Sequence, residues 1–361
     1  MADTLYFSRD TKVYLAIGSD IWEIPVLDGF SFSQATNTSE ITLNEMSDAA
    51  GNSRRGRQMF TDSYAPAEWS FSTYARPFKA SGSGNADDTA NTHHAVEEAL
   101  WALMVGDAAY ADYAFSNITG DTTDMDISFG NSNKVTLGTC DLYFVLGGAG
   151  TGTKTTYKVS DCCVNEVGVD FDIDGIATLN WSGMGKIITE DAEPTATVTE
   201  GVAGTGNFIR NRLTNLVVSS TSPTSTTYDL VLTGGSITVS NNMTFLTPET
   251  LGVVNQPLGH VTGTRSVSGS FTCYLNADAD SSADLFENII EGTDTITNDF
   301  DMTFKIGGSS GTPRIEMAMA NCHLEVPTHS IDDVISLEAN FHALPSTIDG
   351  TDELTVKYVG A

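Results

Sequence analysis

Asp141-Leu142-Tyr143-Phe144-Val145-Leu146-Gly147-Gly148 returns 160 residues later as Asp301-Met302-Thr303-Phe304-Lys305-Ile306-Gly307-Gly308. The same offset, without a gap, sets Lys154 with Arg314, Asp161 with Asn321 and Cys162 with Cys322. It also sets Asp172 with Asp332, Asn180 with Asn340 and Trp181 with Phe341, and apolar positions exchange for apolar ones throughout. A repeat of this length governs the architecture, because each copy is expected to fold into the same unit.

Earlier blocks recur in the same order. Ser70-Phe71-Ser72-Thr73-Tyr74 matches Ser270-Phe271-Thr272-Cys273-Tyr274, and Val96 to Gly106 matches Ser282 to Gly292. Both of the latter read as helices closed by a glycine. Trp22 to Gly29 resembles Tyr228 to Gly235, and Phe30-Ser31-Phe32-Ser33 resembles Ile237-Thr238-Val239-Ser240. The offset shrinks along the chain, so the first copy carries the longer loops. Between the copies, Glu190-Asp191-Ala192-Glu193-Pro194-Thr195 and a Gly- and Thr-rich stretch have the composition of a linker. The expected organisation is a first unit over 1–189, a linker over 190–207 and a second unit over 208–361.

Within each unit the apolar period is two. Val167-Gly168-Val169-Asp170-Phe171-Asp172-Ile173-Asp174 alternates strictly, with apolar residues on one face and carboxylates on the other. Val96, Leu100, Leu103 and Met104 form a helical stripe, as do Leu285, Phe286, Ile289 and Ile290. The predicted fold is mainly β: two tandem homologous β-sandwich or barrel units, each flanked by one α-helix.

The 361 residues are 40% apolar, enough for sizeable cores, and only 18% charged. The charge is lopsided, with 17 basic against 47 acidic side chains and a net charge of −30. Such a surface repels phosphate backbones and argues against tight nucleic-acid binding. No apolar run reaches the roughly 20 residues a membrane helix needs, and the first residues lack the pattern of a signal peptide. Five scattered cysteines without a CxxC pair are expected to be free thiols.

Several stretches imitate chemical motifs. Asp170-Phe171-Asp172-Ile173-Asp174-Gly175 opens like a calcium loop, but its twelfth position is Trp181 rather than Glu and its flanks read as strand. An acidic strand face is the simpler reading. Gly147 to Thr155 nearly spells a phosphate loop, yet its lysine is one place late and strand follows, as expected of a hairpin turn. His93-His94 stands at the expected helix start, where adjacent side chains diverge. No catalytic residue, metal ligand or cofactor is expected. Arg54-Arg55-Gly56-Arg57 gathers three of the 17 basic residues in one long loop. It reads equally as a solvated loop or as an arm seeking carboxylates.

A tandem β-sandwich with one helix per unit, a long early loop and a strongly acidic surface resembles the major tail tube protein of tailed bacteriophages. The strand–helix–strand order and Ser336-Leu337-Glu338-Ala339-Asn340-Phe341-His342-Ala343-Leu344, similar to late strands of tube proteins, carry the likeness. The resemblance implies a structural virion protein assembled in the host cytoplasm, without membrane insertion. It implies stacked rings, homotrimeric with pseudo-six-fold symmetry for a duplicated chain. Expected partners are a tape-measure protein, a tail terminator, tail-tip proteins and double-stranded DNA that passes without specific binding. Candidate lumen-lining residues are Asp170, Asp172, Asp174 and Asp332; candidate inter-ring or inter-subunit contacts are Arg54, Arg55 and Arg57. Other tandem-sandwich proteins (a tail tip, a decoration protein, an adhesin) and a carbohydrate-binding β-protein are the alternatives.

Overall fold

The computed structural model describes residues 6–41, 49–52, 57–86, 90–106, 109–129, 137–147, 152, 154–197, 199–204, 206–220, 225–247, 257–291, 300–331 and 333–360. Arg54, Arg55 and Asp332 lie outside them, as do parts of both long loops. The fold is mainly β, with two α-helices among the described residues.

The N-terminal half contributes β1 (Lys12–Ile17), β2 (Asp20–Ile24), β3 (Ser31–Ile41), β4 (Gln58–Tyr74), α1 (Glu98–Val105), β5 (Met125–Ile127), β6 (Cys140–Gly147), β7 (Lys154–Asp172), β8 (Thr178–Gly185) and β9 (Ile188–Asp191). Shorter strands fill the segment around α1. The C-terminal half contributes β10 (Asn215–Ser220), β11 (Thr226–Asp229), β12 (Leu232–Ser240), β13 (Thr244–Leu246), β14 (Gly259–Val261), β15 (Ser266–Tyr274), α2 (Ser282–Glu291), β16 (Phe300–Ile306), β17 (Arg314–Leu324), β18 (Thr328–Ile331), β19 (Ile335–Ala343) and β20 (Thr355–Val359).

β7 explains how one chain makes two layers. Its first part pairs with β6 and β9, and its second part with β8 and β12. Between them the register slips opposite Cys140 and Leu142, and Asp161 takes a left-handed φ of 48°. A bulge of this kind bends a strand so that it leaves one sheet and enters the other. Cys162 turns into the core there, its thiol donating to the Val159 carbonyl at 3.3 Å.

The larger layer runs β3-β4-β8-β7-β12-β15-β19-β18, with every neighbour antiparallel. The two halves of the chain therefore share a sheet through β7 and β12. The last strand joins them a second time: β20 pairs with β17 on one edge and with β5 on the other.

The core lies on one face of the layer. Trp69, Phe71, Trp181, Val167, Val169, Phe171, Ile237, Phe271 and Phe341 are buried there. Burial of such side chains contributes about 1.5–3 kcal/mol each. Trp101 of α1 meets Trp181 edge-on, with ring centroids 5.2 Å apart.

Two local expectations need correction. His93 and His94 fall in a short strand, His93–Ala95, before α1 begins at Glu98, and His94 Nδ1 pairs with the Glu98 carboxylate at 2.9 Å. α1 has no single stripe, because all eight of its residues are buried between the sheet and the segment that follows it. The stretch between the two halves makes contacts of its own. β9 continues the sheet to Asp191, and the buried Arg76 guanidinium donates to the carbonyls of Gly201, Val202 and Gly204. All five cysteines are free and buried.

Candidate functional site: the wet face of the shared sheet

Strand alternation sends every second side chain of the eight-stranded layer away from the core. These side chains form one continuous face. β3 places Ser31 and Ser33 there, β4 Glu68, Ser70 and Ser72, and β8 Asn180 and Ser182. β7 adds Glu166, Asp170 and Asp172, and β12 adds Ser236 and Thr238. β15 adds Ser268, Ser270 and Thr272, β19 adds Glu338, Asn340 and His342, and β18 adds Thr328 and Ser330. No Lys or Arg stands at these positions.

Cross-strand bonds between its own side chains tie the face together. Ser72 Oγ donates to Asn180 Oδ1 at 2.7 Å, and Asn180 Nδ2 donates to Asp170 Oδ2 at 2.8 Å. Ser31 and Ser70 share a bond of 2.8 Å. Farther along, Asn340 Nδ2 donates to Glu325 at 2.9 Å and His342 Nε2 approaches its other oxygen at 3.3 Å. These two bonds hold the Glu325 carboxyl below its ordinary range.

Asp170 and Asp172 stand on this face, exposed, as the alternation predicts. Asp174 does not. β7 ends at Asp172, so Asp174 sits in the turn beyond it and forms an exposed pair with Arg212 at 3.3 Å. Ile173, read as a core residue, is 49% exposed for the same reason. Arg57 lies at the base of the long β3–β4 loop, exposed and 3.6 Å from Glu40. That hairpin projects beyond the layer and exposes Ile41, Met59 and Phe60; in the C-terminal half the β13–β14 hairpin lies between β12 and β15 in the chain.

The serine and threonine rows of β12 and β15 were absent from the candidate residues. Their signal was present, since Ser266-Val267-Ser268-Gly269-Ser270-Phe271-Thr272-Cys273 alternates as strictly as the acidic strand. Hydroxyls carry no charge, and so attract less notice than carboxylates. Among the described residues no group of three His, Cys, Asp or Glu is placed to hold a metal ion. No described helix is long and apolar enough to cross a membrane.

A broad polar sheet face with hairpins projecting beyond it suits an assembling structural protein. The sequence matches the phage tail tube protein family over residues 84–343, and the chain belongs to that family. It is 29% identical to tail tube protein pb6 of Escherichia phage T5 across 365 aligned positions, covering 97% of this chain and 75% of the relative. The chain is a structural component of the virion tail and self-assembles into the tube.

Proposed function

We propose that three copies of this chain close into a ring of pseudo-six-fold outline, with the wet face turned inward as the wall of the DNA channel. One observation carries this reading: the eight-stranded layer divides into β3-β4-β8-β7 and β12-β15-β19-β18, two four-stranded sets joined edge to edge. Two such sets per chain fill six places with three chains.

Support for two homologous units, about 1–189 and 208–361, comes from register. Cys140 faces Cys162 and Leu142 faces Val159 across a bulge; Phe300 faces Cys322 and Met302 faces Met319 across another at the same step of the 160-residue offset. Cys322 Sγ donates to Met319 O at 3.8 Å, as Cys162 does to Val159. The register also favours one adjustment. Asn340 lies opposite Ser270 as Ser182 lies opposite Ser70, so β19 corresponds to β8 two residues away from the ungapped alignment.

An inward wet face suits a conduit. Its charged side chains are carboxylates, and its remaining positions are largely hydroxyls and amides that keep a film of water. Double-stranded DNA is repelled by the former and finds no cation to hold it. Asp170 and Asp172 remain lining candidates; Asp332, outside the described residues, stays one by its place in the repeat. The projecting hairpins, with Arg57 at the base of one and Arg54 and Arg55 in its loop, would reach the next ring. Tape-measure, terminator and tail-tip proteins are the partners this reading implies, and the DNA passes without specific binding.

Cryo-electron microscopy of assembled tubes tests it. Three chains per ring, with Asp170 and Asp172 facing the lumen, is the expected result. Six chains per ring, or these side chains on the outer wall, would overturn it.

A further inference from the structure

The imidazole of His260, on β14, links three segments that are far apart in sequence. Its Nε2 accepts the Leu137 backbone N–H at 2.9 Å, and its Nδ1 lies 3.2 Å from the Cys163 thiol of β7. Leu137 and Cys163 are buried. Phe245, opposite His260 in the hairpin, meets the ring with centroids 5.7 Å apart. Among the described residues, the hydrogen bonds that tie β13 and β14 to the rest of the chain all pass through this ring.

The Leu137 bond fixes the form of the ring. A nitrogen that accepts an N–H offers it a lone pair, so Nε2 carries no proton and the proton of the neutral imidazole sits on Nδ1. There it faces Cys163 Sγ, a weak acceptor. A doubly protonated ring would set one N–H against another, and the amide of buried Leu137 would lose its acceptor, which is costly. For the same reason the Cys163 thiol does not hand its proton to the ring, and burial pushes that thiol up to about 12.

We propose that His260 is an acid-sensitive latch: neutral, it fastens the β13–β14 hairpin to the Leu137 backbone and to β7, and protonated, it lets the hairpin go. The latch lies within one copy of the chain and does not depend on the ring reading above. Protonation puts a hydrogen on Nε2, breaks the bond from Leu137 and turns that edge of the ring toward water.

Burial holds His260 below its ordinary value of 6.5. A base whose folded value is lowered favours the folded arrangement while neutral. Its contribution is complete above 6.5 and is lost as pH falls through the folded value. Cys163 is the titratable group of β7 at the ring, and β13 and β14 bring none besides His260. Leu137 shares a cavity with Arg265 and Glu353, which pair with each other. Met184 and Met243, packed with Cys163 and Phe245, share another with Glu68 of β4. A carboxylate acting on the ring would raise its value, whereas the shift here is downward and comes from burial.

The test uses the full chain. Amide hydrogen exchange is compared at about pH 7.5 and about pH 5, after correction for the intrinsic pH dependence of exchange. Expected in the wild type at the lower pH is at least tenfold faster exchange at the Leu137 amide and across residues 257–263. His260→Gln, whose side-chain oxygen accepts the same N–H without titrating, should change less than twofold. Equal acceleration in both proteins, or none in the wild type, would overturn the latch. Should His260→Gln not fold, the wild type alone decides, through exchange of the His260 Cε1 hydrogen, whose rate follows protonation of the ring. A midpoint below 6.5 that coincides with release of the Leu137 amide is the expected result. A midpoint at or above 6.5, or a Leu137 amide that stays protected through the transition, would overturn the proposal.

Discussion

The hydroxyl of Tyr358 donates to Oε1 of Glu97 at 2.7 Å, binding the last strand of the chain to the residue that precedes α1. The same hydroxyl accepts the indole N–H of Trp101 at 2.8 Å, and the Arg76 backbone N–H reaches Glu97 Oε1 at 3.1 Å. Among the described residues, buried Glu97 Oε2 has no hydrogen-bond partner. The contact locks the C-terminal strand of one half into the helix of the other.

That lock is expected to weaken with rising pH. Burial pushes the Glu97 carboxyl from 4.5 up to about 7. An acid whose folded value is raised favours the folded state while protonated. Its contribution is complete below the unfolded value near 4.5 and is lost as pH rises through about 7. A displacement of that size corresponds to about 3 kcal/mol. Urea unfolding between pH 4.5 and 8 should show a decline that Glu97→Gln largely removes. An unchanged decline in that variant would assign the effect to another group.

A second expectation concerns glycines under aromatic rings. A Cβ on Gly183 would lie 2.0 Å from the Cys163 carbonyl oxygen and 2.5 Å from the Trp69 ring; one on Gly269 would lie 2.0 Å from the Ser236 oxygen and 2.7 Å from the Phe341 ring. The obstacles include backbone, which cannot step aside. Gly183→Ala and Gly269→Ala should each destabilise by about 2–3 kcal/mol, toward the upper end for overpacking. Gly168→Ala, whose nearest neighbour lies at 3.9 Å, should cost far less. Denaturant midpoints of the three variants read the difference.

Much of this was legible in the sequence because period and repeat report burial directly. The alternation around Val167, Val169 and Phe171 located a buried face, and Gly106 marked a helix end that the structure places at a φ of 115°. The readings that failed depend on where an element stops. Ile173 and Asp174 continue the alternation in sequence, but β7 ends before them. The all-round burial of α1 reflects contacts from distant segments, such as Tyr358 on Trp101, that no local pattern records. The joint between β7 and β12 is likewise a pairing of strands more than 60 residues apart, fixed by register rather than by composition.

The arginine loop should matter to assembly and not to the monomer. Among the described residues Arg57 makes an exposed pair with Glu40, of a kind worth less than about 1 kcal/mol. Replacing Arg54, Arg55 and Arg57 by Ser should leave the unfolding midpoint of the monomer almost unchanged. If the loop meets carboxylates of a neighbouring ring, the same variant gives short or sparse tubes under negative stain, and added salt has the same effect on the wild type. Tubes of normal length from the triple variant would mark the loop as passive surface.

The charge of the sheet face can be reversed without touching the core. Asp170 and Asp172 are exposed, and Asp170 accepts one bond from Asn180 on the same face. Lysine at both positions keeps strand alternation and directs the long side chains into solvent, so the monomer should lose no more than about 1 kcal/mol. If the wet face turns inward in the ring, the substitution gives the channel a belt of cations in place of carboxylates. Each lysine near a DNA phosphate displaces a counterion and adds affinity, turning a repelling wall into one that grips. Phage assembled with Asp170→Lys and Asp172→Lys should therefore form tubes of normal appearance yet eject DNA several-fold more slowly, and the delay should shrink as salt is raised. Asp174→Lys is the control, because Asp174 lies in the turn beyond β7 beside Arg212. Ejection at the wild-type rate from the double variant would place this face away from the passing DNA.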